Sequence, residues 1–395
     1  MRILFVAMPN SVHAARWINQ ISDRGWDIRL FSSTPAPIHP ELRNITVYGV
    51  SASRPEGLDP SVRLRGVWPL RRGLGRLSHP IFHRFVPWGL ARIIRWLKPH
   101  IVHSMEIQHA GYLTLAARAK LGGRFPTWVV SNWGSDIYLF GRLSEHHHKI
   151  KAVLSACDYY DAECHRDVEL AKKFGFKGEV LPVLPNTGGF DLQQARQLRQ
   201  PGPTSARRLI ALKGYQGWVY RALVGLRGIE LCADLLKEKG YRIAIYLTSP
   251  ETKIAAELLA KSSGLPIDII PRVPHQEMLR LHGRARVSIG LSISDALSIS
   301  ALEAMVMGSF PIQSNTSCLG ELVQDGESGM LVHPEDPEAV AGALRRAVTD
   351  EELVDRAAEI NARIAAEHLD RSVIRPQVVQ MYERIAAQAR SKKKP

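Results

Sequence analysis

The sequence predicts an α/β protein of two domains, each an open, mainly parallel sheet wrapped by helices, facing each other across a cleft. Three observations predict it. At 395 residues the chain is too long for one ordinary core and suits two of roughly 150–200 residues. Short apolar runs of strand type alternate with stretches of helical spacing, the pattern of parallel β–α–β units. That alternation lapses over 193–206, where QQARQLRQPGPTSA is polar, carries Pro-Gly-Pro and reads as a linker. The predicted boundaries are 1–195, 196–370, and 371–395 for a last helix and basic tail.

Each element follows from its residues. RILFVA is a buried strand, and Pro9, Asn10 and Ser11 turn the chain. In VHAARWINQIS, Ala14, Trp17, Ile18 and Ile21 share a helical face, Gly25 ends the helix, and DIRLFSS is the next strand. NITVYGV (44–50), HIVHS (100–104) and PTWVVSN (126–132) are strands; LARIIRWL and 110–121 are helices. ACDYYDAEC and GEVLPVLP read as later strands of the same sheet. Beyond the linker, RRLIALK is a strand and 218–239 one long helix ended by Gly240. YRIAIYLT, IDII, ARVSIGLS and SFPIQS are strands, and 299–307, 336–348, 351–366 and 371–390 are helices.

Composition narrows the partners. Lys plus Arg number 52 against 38 Asp plus Glu, a formal charge of +14 that implies an anionic partner. Much of the excess lies in 61–99, where Arg63, Arg65, Arg71, Arg72, Arg76, Arg84, Arg92, Arg95 and Lys98 meet no acid. Trp68, Phe82, Phe85, Trp88 and Trp96 interleave with them. Such a mixture suits an anionic membrane surface. It also fits a helix pair with core aromatics and solvated arginines, and, least of the three, single-stranded nucleic acid. The N-terminal apolar run stops at Pro9 with no cleavage signal, and no window of 18 uncharged apolar residues exists. The expectation is a cytoplasmic protein, peripheral at most on the inner face of the plasma membrane. Four cysteines without CxxC spacing agree with a reducing compartment.

Open α/β sheets bind ligands beyond the carboxyl ends of their strands, so chemistry is sought in the loops that follow them. Asp295 follows the strand ARVSIGLS, and Glu303 lies eight residues on, in the next helix. Helical side chains point back toward the N-terminus, so both acids can share a pocket. The helix start at Ser298, Ile299 and Ser300 offers unbonded N–H groups and a positive dipole end for phosphate. Acids that grip hydroxyls beside amides that grip a diphosphate suit a sugar nucleotide. The plainer alternative is an acidic pair complementing the helix dipole. Lys213 ends the strand RRLIALK, Gly214 opens the turn, and Arg221 is a second candidate cation for the diphosphate. In the first domain, His13 opens the first helix and Asp136 follows PTWVVSN within Asn132–Trp133–Gly134–Ser135–Asp136. Asp136 is placed to accept a hydroxyl, Trp133 to stack on a sugar or pack in the core. His103 and Glu106 are a candidate ligand-facing pair. His146, His147 and His148 cannot share a helix face and read as a solvated patch.

The run S-x-S-D-x7-E-A-M-x-x-G-x-x-P-I from Ser292 to Ile312 resembles the signature of retaining glycosyltransferases of the GT-B fold, the family 4 class. ELVQDGESGMLVHPEDPEAVAGAL (321–344) is similar to that class as well. Two positions depart: Asp295 and Ala296 stand where Glu and Gly are usual. Trp133 stands where many relatives carry His, so no catalytic His is carried over there. The resemblance implies two Rossmann-like domains, with the C-terminal helix crossing back to the first. It implies an acceptor site in the first domain and a UDP- or GDP-sugar in the second, with Glu303 on the ribose and Asp295 on the transferred sugar. Lys213, Asp295, Asp136 and His13 form the candidate catalytic set; Glu303, Ser298, Ile299, Ser300, Arg221 and Gly214 form the candidate donor-binding set. No D-x-D motif occurs, and no metal or other cofactor is expected. The implied acceptor is a saccharide, especially a lipid-linked one in cell-surface polysaccharide assembly. A nucleotide-sugar epimerase on the same architecture and a non-enzymatic nucleic-acid-binding protein are the alternatives.

Overall fold

Strands of a parallel sheet are covered on both faces and so read as near-continuous apolar runs. RILFVA obeys this: it forms β1 (Arg2–Ala7), in which every residue after Arg2 is buried. The computed structural model describes residues 1–49, 54–66, 79–123 and 125–391. The chain divides into two units, Met1–Gly188 with Ile374–Pro395, and Gly189–Val373.

The first unit holds an eight-stranded sheet in the order β4-β3-β2-β1-β5-β6-β7-β8. Its strands after β1 are β2 (Asp27–Ser32), β3 (Thr46–Gly49), β4 (Arg63–Gly66), β5 (Ile101–Met105), β6 (Thr127–Ser131), β7 (Tyr159–Asp161) and β8 (Glu179–Val180). All pairings are parallel. The helices are α1 (Val12–Asn19), α2 (His79–Leu97), α3 (Tyr112–Leu121), α4 (Ser135–Tyr138), α5 (Ser144–Ala156) and α6 (His165–Lys173). Ser11 caps α1 by accepting from the Ala14 N–H at 3.3 Å.

The second unit holds a six-stranded parallel sheet in the order β11-β10-β9-β12-β13-β14. These are β9 (Leu209–Lys213), β10 (Arg242–Tyr246), β11 (Ile267–Ile270), β12 (Val287–Gly290), β13 (Phe310–Ser314) and β14 (Met330–Val332). Its helices are α7 (Leu192–Leu198), α8 (Ala222–Glu230), α9 (Ala233–Glu238), α10 (Pro250–Ser263), α11 (His275–Arg284), α12 (Ile299–Val306), α13 (Pro337–Thr349) and α14 (Glu351–Ile364). The last helix, α15 (Arg371–Ser391), returns the chain to the first unit. There Ile374, Val378, Met381, Tyr382 and Ile385 pack in one core with Ile3 and Phe5 of β1.

Two expectations need correction. The helix expected over 218–239 starts only at Ala222, because 219–221 is drawn into antiparallel pairing with the chain after β12, where Ile293 N–H donates to the Val219 carbonyl at 2.8 Å, and it is divided at Leu231 and Cys232 into two helices. The linker at 193–206 is structured. Asp191 caps α7 through the Gln194 N–H at 2.9 Å, the Thr204 hydroxyl donates to the Gly308 carbonyl at 2.6 Å, and Ser205 bonds Asp355. These anchors are polar and local, so hydrophobic spacing carries no trace of them.

Within the basic segment, α2 buries Leu90, Ala91, Ile94 and Leu97 but leaves Phe85, Trp88 and Trp96 about half exposed or more (49%, 51% and 61%). Trp68, Arg71, Arg72 and Arg76 lie outside the described residues. Among the described residues no helix is long and apolar enough to cross a membrane.

Candidate functional site

In an open parallel sheet the strand order reverses at one place, where the loops leaving two adjacent strands run in opposite directions and leave a crevice. In the second unit that place lies between β9 and β12. Lys213 is the last residue of β9, and Asp295 and Ser298 to Ser300 follow β12. The reversal thus places the sequence candidates at the carboxyl ends of two paired strands. Their loops are also stitched together: Arg221 N–H donates to the Leu291 carbonyl at 3.0 Å, and Tyr220 bridges Ser292.

The Lys213 ammonium lies 5.2 Å from the Tyr220 ring centre and 5.7 Å from that of Tyr215, so the rings hold the cation in place. No carboxylate forms a salt bridge with it among the described residues. Asp295 is half-buried, and its charge together with burial pushes the Tyr220 hydroxyl up to about 12, burial being the larger cause. At the start of α12 the hydroxyls of Ser298 and Ser300 meet at 3.0 Å, and the Ser298 side chain does not cap the helix. The dipole end therefore has no side-chain oxygen from its own cap.

Glu303 is buried, at 6% exposure. Its Oε1 lies 2.8 Å from His275 Nε2 and its Oε2 3.7 Å from His282 Nε2. His282 is fully buried, with Nδ1 2.9 Å from the Ser288 hydroxyl. Burial holds the His282 pKa below its ordinary value, although Glu303 pulls the other way. The sequence reading missed both histidines. Their signal was seven-residue spacing, two turns along one helix face, in a segment with too little apolar periodicity to read as a helix.

Two donor-set candidates have other work. The Arg221 guanidinium donates to Glu335 at 3.0 Å and to the carbonyls of Gly217, Trp218 and Tyr220, so it closes its own turn. At Gly214 a Cβ would lie 2.8 Å from Thr248 Cγ2 and 2.9 Å from Ile245 Cγ2, and its N–H donates to the Tyr246 carbonyl at 2.7 Å. Glycine there lets the ends of β9 and β10 approach.

In the first unit the order reverses between β1 and β5. His13, after β1, stacks on Trp133, after β6, with centroids 5.1 Å apart and planes 24° from parallel. Asp136 is buried; Oδ1 accepts from Trp133 N–H at 2.8 Å and Oδ2 from Ile107 N–H at 3.2 Å. Burial, helped by the Glu106 charge, pushes its pKa up to about 8. The carboxyl that the sequence offered to a ligand hydroxyl joins two loops instead. Glu106 sits at φ 84°, a strained value for a non-glycine residue. The strain is offset by its Oε1, which accepts from the N–H groups of His109 and Ala110.

His103 lies in the core of the first unit. It is fully buried, its Nδ1 2.7 Å from the Tyr382 hydroxyl of α15 and its Nε2 2.6 Å from the Ser131 hydroxyl, and burial pushes its pKa down to about 3. In the patch expected to be solvated, His147 and His148 are exposed, His147 lying beside Phe174, while His146 is half-buried against Tyr112 and Phe140.

Residues 229–363 match the family model described as glycosyl transferases group 1, and residues 80–161 that described as glycosyl transferase 4-like. The sucrose-phosphate synthase of Thermosynechococcus elongatus superposes with a TM-score of 0.69 at 16% identity, covering 98% of this chain and 100% of that one. Anabaena HepE, solved in complex with UDP and glucose, superposes at 0.67 and 13% identity over 97% and 99% of the two chains. These likenesses define the fold class as GT-B. Among curated proteins, the D-inositol 3-phosphate glycosyltransferase of Nocardioides sp. is 32% identical over 117 residues, 28% of this chain and 26% of that protein. A glycogen synthase of Mycobacterium tuberculosis is 27% identical over 113 residues, 29% of this chain and 27% of that protein. The chain spans about a quarter of the length of the curated relatives it matches. Both units thus match glycosyltransferase family models over part of their length, the second unit that of group 1, on a GT-B fold.

Proposed function

We propose that this protein transfers a sugar from a UDP- or GDP-linked donor to an acceptor hydroxyl, with retention of anomeric configuration. One observation carries the reading. Lys213, Asp295 and the start of α12 leave the two strands between which the second sheet reverses, and Glu303 lies one turn further along α12. The match of residues 229–363 to the group 1 glycosyltransferase model and the UDP bound to HepE support it.

In this reading the amides at Ser298 to Ser300 and the Lys213 ammonium hold the pyrophosphate. Glu303 accepts from the ribose hydroxyls, and Asp295 accepts from a hydroxyl of the transferred sugar. The acceptor oxygen bonds to the anomeric carbon on the face from which the carbon–phosphate-oxygen bond breaks. The electron pair leaves with the diphosphate, and the acceptor proton passes to the departing phosphate oxygen. No protein nucleophile is needed. Lys213 and the helix amides stabilise the charge gathering on the diphosphate, which is where fixed dipoles lower a barrier most.

The acceptor is a saccharide, lipid-linked where it is met at an anionic membrane surface. The +14 charge and the exposed aromatics of α2 support that surface. The test is isothermal titration of wild type, Glu303→Gln and Lys213→Ala with UDP- and GDP-sugars, followed by turnover with saccharide acceptors. Glu303→Gln is expected to weaken donor binding, and Lys213→Ala to lower turnover while the fold persists. Unchanged kinetics in both variants would remove the site, and epimerised donor formed without acceptor would replace the transferase reading.

A further inference from the structure

Glu303 is the only site acid whose two oxygens are each faced by an imidazole among the described residues. Both rings stand on α11, His275 at its first residue and His282 two turns later. His275 Nε2 lies 2.8 Å from Oε1 and His282 Nε2 3.7 Å from Oε2. Behind them, His282 Nδ1 meets the Ser288 hydroxyl at 2.9 Å, which meets the Ser309 hydroxyl at 2.8 Å. Nothing in the proposed reaction uses this arrangement.

The inference rests on the reading above, in which Glu303 accepts from the ribose hydroxyls. A carboxylate near a pyrophosphate is repelled by it unless a cation stands close. Tyr246, from β10, is kept neutral by burial, which pushes its pKa up. Lys213, from β9, is a fixed cation felt at His282. His282 is buried and held toward its neutral form. His275 differs: its side chain is 31% exposed while its Nε2 lies 2.8 Å from Glu303 Oε1.

We propose that His275 is a positioning residue for Glu303, and that protonation of its ring tightens binding of the nucleotide sugar. The neutral ring donates one hydrogen bond and fixes the carboxylate rotamer. The protonated ring donates the same bond as a cation, which strengthens it and offsets the carboxylate charge felt by the pyrophosphate. The sign is set by the ligand: an anionic donor gains from each added positive charge, so affinity is highest at low pH and falls as pH rises.

The experiment is isothermal titration with UDP-glucose and GDP-mannose from pH 5.5 to 8.5 at fixed ionic strength. Both probes carry a pyrophosphate diester whose charge is constant over that range, so any slope belongs to the protein. For wild type the Kd is expected to rise about fivefold, which is ~1 kcal/mol, the order of the attraction between two unit charges a few Å apart in a largely solvated site. His275→Gln keeps an N–H donor but cannot take up a proton. It should bind with a flat profile near the high-pH wild-type Kd, and His275→Ala should bind more weakly at every pH. His333→Gln, remote from Glu303 in the chain, should keep the wild-type slope. A flat wild-type profile, or a slope that survives in His275→Gln, overturns this inference and leaves the proposed function standing. Binding of neither probe to wild type at any pH overturns both.

Discussion

Replacing Tyr382 by Phe tests how the last helix is held to the first unit. The Tyr382 hydroxyl accepts from Trp17 Nε1–H at 2.9 Å and lies 2.7 Å from His103 Nδ1. The indole can only donate, so the tyrosine proton goes to Nδ1. His103 Nε2–H then donates to the Ser131 hydroxyl at 2.6 Å, and that hydroxyl donates to Asp161 Oδ2 at 2.5 Å. Every link is buried and runs in one direction. Phenylalanine keeps the ring and its edge contacts with Phe5 and Trp26, at 6.2 Å and 6.3 Å. It removes two hydrogen bonds and leaves an indole N–H and an imidazole nitrogen buried without partners. Each such orphan costs about 1–3 kcal/mol, so the loss should be about 2–5 kcal/mol. That is a large share of the ~5–15 kcal/mol that stabilises an ordinary domain. Tryptophan fluorescence in urea is the assay, because all of the eight tryptophans except Trp218 belong to the first unit. The midpoint should fall at unchanged slope, and the Trp17 indole proton should exchange faster. A loss below about 0.5 kcal/mol would refute the reasoning, since the orphaned groups would then have found water or new partners.

Three further outcomes are expected. Asp136 is protonated in the fold up to about pH 8 and unfolded only below about 4. Its contribution to stability is therefore fully present below pH 4 and lost as pH rises through 8; relative to Asp136→Asn, wild type should lose about 1.4 kcal/mol per pH unit between, read by urea titration at several pH values. Gly214→Ala should lower the melting temperature by the equivalent of about 1–3 kcal/mol, because its Cβ would lie 3.0 Å from the Thr248 Cα as well as against two side chains. If α2 meets an anionic membrane, Arg92→Glu with Arg95→Glu should reduce sedimentation with phosphatidylserine vesicles, by about 1 kcal/mol for each cation lost.

What the sequence shows and hides follows from the kind of force involved. The sheet strands were legible because a strand covered on both faces must be apolar throughout, as Ile3 to Ala7 and Ile210 to Leu212 are. β4 was not: it is an edge strand of largely exposed RLRG, with no apolar signal to read. α5 was missed for a similar reason, since SEHHHKIKAVLSA buries only Ile150, Val153 and Leu154. Among the site candidates, Asp295 and Glu303 were singled out by spacing within one loop and one helix together with a resemblance to a family signature. His275 was not, because its partner Glu303 is reached through tertiary packing of α11 on α12 rather than through chain neighbours.

The structural roles of three candidates share a cause that bears on the chemistry. Asp136, His103 and Arg221 were each chosen because a charged or titratable side chain follows a strand. Each proves to hold the backbone or another buried polar group in place. A loop at the reversal of a sheet must leave its neighbours abruptly, and its orphaned N–H and C=O groups then need polar side chains to satisfy them. Position after a strand therefore selects for two populations, groups that meet a ligand and groups that shape the loop. Burial with hydrogen bonds to nearby backbone separates them. By that criterion Asp136 and Arg221 fall in the shaping group. Lys213 is not placed there: its aromatic neighbours lie against the ammonium without neutralising it, which keeps it a candidate for an anion.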